Sequence, residues 1–192
     1  LKSIYLSLIK LKNLNVLKKF FKILLVFFIV ISLVIVIAMI AVGKKYHFEK
    51  SIVINAPVEK VWQNVNSMKA VNSWSPFLDY DKNMKQTYSG VSGQVGDTYH
   101  WNGNDEAGEG EEKITALEPN KKSSVNIRFI KPFEGNADAD VILQPQGNAT
   151  KVTWTFDTEM NYPMNLMKLT MDSQMDKDFG KGLQKLKEIS EK

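Results

Sequence analysis

Few residues in this chain have the types and spacing that chemistry demands. Cysteine is absent, and the two histidines are His47 and His100. With no third ligand at a metal-like separation, they make neither a metal site nor a catalytic triad. No serine stands in a Gly-x-Ser-x-Gly elbow, and no glycine-rich loop leads into a helix to cradle a phosphate. Asp105, Glu106, Glu109, Glu111 and Glu112 are dense enough to suggest a paired-carboxylate acid and base or a calcium loop. They lack EF-hand spacing and read as a solvated hairpin. Arg128 is the only arginine, and its fork could grip a ligand carboxylate if it turned inward. Strand parity instead groups it with outward polar residues. The reading therefore assigns no catalytic residue, no metal and no cofactor.

The elements that would position any site are easier to read. Phe48 to Asn55 alternates and is β-branched, predicting a strand. Ala56-Pro57 then starts a short helix whose Val58, Val61, Trp62 and Val65 share one face, and a second short helix runs from Met68 to Trp74 before Ser75-Pro76. Strands are predicted at 79–88, 97–102, 108–118, 122–132, 135–144 and 149–159, separated by Gly, Asn and Pro turn signals. Alternation puts Tyr99 and Trp101 on one face, with Val125, Ile127 and Phe129, then Ala137, Ala139, Val141 and Leu143, then Val152, Trp154 and Phe156. Such a sheet is apolar on one side. The cover is a helix over 164–190, whose Met164, Met167, Met171, Met175, Phe179, Leu183 and Leu186 recur at helical spacing.

Ahead of this domain, Ile23 to Gly43 holds no charged residue and meets the roughly 20 apolar residues that a bilayer core requires. We read residues 1–22 as a basic cytoplasmic tail, 23–43 as a transmembrane helix, 44–47 as a short stalk and 48–192 as the folded domain. A cleavable signal peptide is the alternative, because Ala38, Ala41 and Gly43 are small; its apolar core is ordinarily shorter, about 7–15 residues. Lys2, Lys10, Lys12, Lys18, Lys19 and Lys22 precede the run and outnumber the lysines after it. The expected topology is single-pass in the cytoplasmic membrane, N-terminus inside, domain on the periplasmic or extracellular side. Ile4, Leu8 and Leu11 between those lysines also suit an interfacial basic helix, although a disordered tail is the simpler reading. The formal charge of +4 misleads: nine of 25 basic residues and one of 21 acidic ones fall within 1–50, leaving an acidic domain without a basic footprint for nucleic acid.

The order strand, two short helices, six strands and one long helix carries a series of motifs. These are Ile52-Val53-Ile54-Asn55-Ala56-Pro57 with Val61-Trp62, Trp74-Ser75-Pro76, Gly96-Asp97 with Tyr99 and Trp101, and Gly108-Glu109-Gly110. Thr150-Lys151-Val152-Thr153-Trp154 and Asp178-Phe179-Gly180-Lys181-Gly182-Leu183 complete it. Over residues 48–190 the chain resembles the polyketide-cyclase-like branch of the SRPBCC, or START-like, superfamily. The resemblance implies an α+β helix-grip fold: a curved antiparallel sheet of about seven strands wrapped on the long C-terminal helix, with a cavity between them.

On that footing the expected wall is Trp74, Tyr99, Trp101, Phe129, Ala137, Ala139, Val141, Trp154 and Phe156, with Met164, Met167, Met171 and Met175 on the lid side. Small alanines facing adaptable methionines would leave room, although a methionine stripe is also ordinary core packing. Three functions follow as expectations. The first is noncatalytic binding of an apolar or amphipathic small molecule, such as a lipid, at the membrane. The second is a cyclase- or hydrolase-type enzyme, which needs an ionisable group inside the cavity. The third is an envelope protein-interaction domain with a filled core.

Overall fold

In the computed structural model the backbone is described from Lys2 to Lys192 and side chains from Val16 onward. The chain forms two compact units, Leu1–Gly43 and Lys44–Lys192. The first is one helix, α1 (Lys2–Val42), so the helix runs without a break across the expected boundary at residue 22. Val16–Val42 is long and apolar enough to cross a membrane, a property that signal sequences share. The side chains on which an interfacial reading of Ile4, Leu8 and Leu11 rests lie outside the described residues.

The second unit contains seven strands: β1 (Lys45–Ile54), β2 (Lys85–Ser89), β3 (Thr98–Asn102), β4 (Glu109–Glu118), β5 (Lys122–Lys131), β6 (Gly135–Gln146) and β7 (Ala149–Glu159). Every neighbouring pair is antiparallel, in the order β1-β7-β6-β5-β4-β3-β2. Two short helices, α2 (Val58–Gln63) and α3 (Met68–Asn72), follow β1, and α4 (Lys168–Ser190) closes the chain. This is the helix-grip arrangement, with α4 against the curved sheet. β1 begins earlier than Phe48, and the expected stalk is absorbed into it: Tyr46 is buried and donates its hydroxyl to Asp172 on α4 at 2.8 Å.

Local chemistry explains the short elements. Pro57 stands just before α2, and the Ser67 side chain caps α3 by accepting from Ala70 N at 3.2 Å. Buried Asp97 accepts from the amides of Met68 and Gly93, both at 3.0 Å, and so ties α3 and the β2–β3 loop to the sheet. The strand predicted at 79–88 is a 3-10 turn (Pro76–Asp79) and a loop, with β2 confined to Lys85–Ser89. Asp81 causes this, since its carboxylate accepts from Asn83 N and Asn104 N, both at 2.8 Å, holding the chain in a turn.

Register places the inner-face residues in rows across the sheet. Trp154, Val141 and Ser123 form one row; Phe156, Ala139 and Val125 the next; Ala137, Ile127, Glu112 and Tyr99 the third; Phe129, Gly110 and Trp101 the fourth. Helix α4 is seated tightly on the first row. The Trp154 and Phe179 rings stack with centroids 3.9 Å apart, and a Cβ at Gly182 would lie 2.9 Å from Trp154 and 3.1 Å from Pro76. Only glycine allows that approach.

Candidate ligand cavity

Between the sheet and α4 lies a cavity of about 290 Å³, close to the roughly 300 Å³ at which ligand sites begin. Its floor comes from all four rows, from Ser123 and Trp154 to Phe129 and Trp101. Its roof is Met171, Met175 and Phe179 on α4, and one side is closed by Val71, Asn72 and Ser75 with the Phe77–Met84 segment. Ser123, Val141 and Trp154 are buried, whereas Phe129, Trp101, Met171 and Leu78 are partly exposed and Glu106 is exposed. The hollow is therefore dead-ended at the first row and opens beside the β3–β4 loop and the start of α4.

Of the expected wall, Tyr99, Trp101, Phe129, Ala139, Val141, Trp154 and Phe156 line the cavity, with Met171 and Met175 above them. Four expected residues do not. Trp74 is fully buried beyond the wall, edge-on to Trp154 with centroids 4.9 Å apart, and its indole nitrogen donates to Asn64 O at 2.8 Å. Ala137 is on the inner face but covered by core packing. Met164 and Met167 belong to a 3-10 turn (Met164–Met167) that precedes α4, and Met167 is 48% exposed. With three residues per turn there instead of 3.6, the helical phase that would align them with Met171 is broken.

The acidic hairpin needs a larger correction. Glu109 does face outward, paired with Lys131 at 2.6 Å and His100 at 3.5 Å, and the lysine holds its carboxyl below the ordinary range. Glu112, by contrast, faces the cavity, directly across the β3–β4 ladder from Tyr99 and the β4–β5 ladder from Ile127. Burial among apolar walls pushes its carboxyl up to about 7, and no cation or donor offsets that cost. Parity from Ile114, two residues on and fully buried, carried this signal. Arg128 is exposed on the outer face, and His47 is outside as well, paired with Asp157 at 2.7 Å.

Other polar groups stand in the wall. Tyr99 is buried with its hydroxyl unpartnered, raised above its ordinary pKa first by burial and then by Tyr88 and Glu112. Ser123 Oγ, at the dead end, is also buried without a partner. Tyr80 is satisfied: it donates to Asp178 at 2.7 Å and accepts from Gln174 at 2.8 Å, clamping the loop before β2 to α4. Burial, followed by the Asp178 carboxylate, pushes its phenol up to about 12. Trp101 is held at the opening by its indole N–H to Ala107 O at 3.0 Å.

Solved structures share the fold. Protein CV1439 from Chromobacterium violaceum superposes with a TM-score of 0.57 at 13% identity, over 76% of this chain and 97% of its own. Ara h 8.0201 gives 0.55 at 12% identity, over 76% and 97%. The Bacillus cereus protein XoxI gives 0.53 at 19%, over 74% and 93%. No curated protein matches the chain. The family model described as polyketide cyclase / dehydrase and lipid transport matches residues 45–191, from the first residue of β1 to just past the end of α4, and the chain belongs to that family.

Proposed function

We propose that this protein is a membrane-tethered receptor for an apolar or amphipathic small molecule, held without chemical change in the cavity between sheet and α4. The observation that carries this reading is the hollow itself. A domain selected only for stability would fill about 290 Å³ with side chains, because voids forfeit packing energy. The hollow also counts against a filled-core interaction domain. Burial of apolar ligand surface, at about 25 cal/mol per Å² before ordering costs, supplies the affinity.

Tethering is supported by the Val16–Val42 span, with Lys18, Lys19 and Lys22 toward its start and the domain after it. The end of the sheet at which the chain enters, Lys45, is also the end at which the cavity opens. Phe133, between β5 and β6, and Met167 and Leu169, at the start of α4, are 59%, 48% and 68% exposed. Apolar residues there suit exchange of ligand with a lipid phase.

A second reading is favoured by Glu112: a carboxyl near neutrality inside a cavity is the group that proton-transfer chemistry would use. Native mass spectrometry of the full chain, extracted from its own membrane in mild detergent, tests the receptor reading. A reproducible extra mass that is released unaltered supports it. Recovery of a chemically converted molecule favours the enzyme, and an empty cavity in every preparation removes the receptor. A phosphatase fusion after Lys192 tests the topology, since an inactive fusion reverses the orientation.

A further inference from the structure

We infer that Glu112 and Tyr99 form a recognition point for the head of the ligand, and that the cavity selects apolar molecules bearing an amine or hydroxyl group over those ending in a carboxylate. This rests on the receptor reading above and specifies its ligand. Three observations carry it.

The first is position. Glu112 and Tyr99 are cross-strand partners, one row inside the opening formed by Phe129, Gly110 and Trp101. Directly opposed residues on antiparallel strands hold their Cβ atoms about 5 Å apart, so one head group can meet both. From this row to Ser123 the strand runs four residues, roughly 13 Å, past Val125, Ala139 and Val141. The head is thus near the opening and the apolar body points to the dead end.

The second is unmet bonding capacity. The Tyr99 hydroxyl is buried and unpartnered, and Glu112, half-buried against the cavity, has no side-chain hydrogen-bond partner or cation beside it. Buried polar groups are ordinarily hydrogen-bonded, because leaving one unpaired costs about 1–3 kcal/mol. Tyr99 and Glu112 together offer a donor and an acceptor to one point of the hollow, and Ser123 Oγ leaves a single further hydroxyl at its far end.

The third is charge. Glu106 and Glu112 line the cavity, and no Lys, Arg or His does among the described residues. An ammonium or hydroxyl would donate to Glu112 and bond Tyr99. Above about pH 7, where Glu112 is ionised, a carboxylate would instead face a like charge in a low-dielectric site, with no cation to receive it.

The test uses the full chain in nonionic detergent at about pH 8.5, where Glu112 is ionised, reading tryptophan fluorescence with octylamine, octanol, octanoate and the uncharged apolar dye N-phenylnaphthylamine. Wild type should bind octylamine and octanol, and octanoate about tenfold more weakly, the ratio expected when one charge-assisted bond is gained or lost. Glu112→Gln should erase that ratio while still binding the dye, and Tyr99→Phe should weaken octanol without restoring octanoate. Thermal melts of both variants establish that they fold. Equal affinity of wild type for octylamine and octanoate, or a ratio unchanged in Glu112→Gln, overturns the inference while dye binding leaves the receptor intact. Failure of all four probes removes the receptor and this inference together.

Discussion

The ring of Trp101 occupies the space where Gly110 would carry a side chain: a Cβ there would lie 2.3 Å from Trp101 Cη2 and 2.6 Å from Arg128 O. The cross-strand pair thus uses an absent side chain to lay an indole across the cavity opening. Backbone on one side and a ring hydrogen-bonded to Ala107 on the other leave little room to yield. Gly110→Ala should cost about 1–3 kcal/mol of stability, as overpacking does, and change the Trp101 emission. Urea unfolding and tryptophan fluorescence check both; an unaltered spectrum with unaltered stability would show that the ring is not wedged.

Glu112 sets a pH dependence. Its ordinary value is near 4.5 and in the fold it is pushed up to about 7, so between those values the folded protein retains a proton that the unfolded chain has released. Stability from this residue is greatest below about pH 4.5, falls as pH rises through the window, and is level above about 7. The full loss is about 3 kcal/mol. Glu112→Gln should therefore match wild type at pH 4.5 and exceed it at pH 8. Paired denaturation curves at the two pH values decide, and a wild-type advantage at pH 8 would mean that the carboxylate is compensated.

Ala139 and Ala137 separate cavity from core. Ala139 borders the hollow, so Ala139→Leu should keep stability within about 1 kcal/mol while abolishing dye uptake. Ala137 is buried outside the cavity lining, and Ala137→Leu should instead cost about 1–3 kcal/mol. Uptake titrations beside thermal melts would expose the opposite pattern if the hollow lay elsewhere.

Asp97 anchors α3 through the buried Met68 amide and the β2–β3 loop through the Gly93 amide. Asp97→Ala orphans the Met68 amide, releases Gly93 to solvent and should destabilise the domain by about 1–3 kcal/mol. Hydrogen exchange would report where: the Met68 and Gly93 amides should lose protection first, and uniform loss across the sheet would contradict a local anchor.

Parity made much of this legible. Period-two alternation identified the inner faces of β3, β5, β6 and β7, and hence most of the cavity floor, while the α4 stripe was right wherever the helix is regular. It failed where a side chain bends the backbone, as Asp81 does before β2, and where the winding changes, as it does at Met167. Composition also misled: five acidic residues in eight positions suggested a wet hairpin, and only the alternation from Gly110 to Ile114, between two irregularities of β4, reveals that Glu112 turns in. Parity names a face but not its cover, so it could not tell Ala139, which borders space, from Ala137, which does not.

The bare backbone at Gly182 pins α4 to Trp154 at one end, while flexible methionines keep it off the floor at the other. The hollow is thus a wedge with an immovable apex. Tyr46 and Tyr80 hold the other half of the helix, so girth is accommodated by the rotamers of Met171 and Met175, but no molecule can advance beyond the apex and each added methylene must emerge from the entrance. Chain length, not thickness, should be the dimension in which this protein is strict.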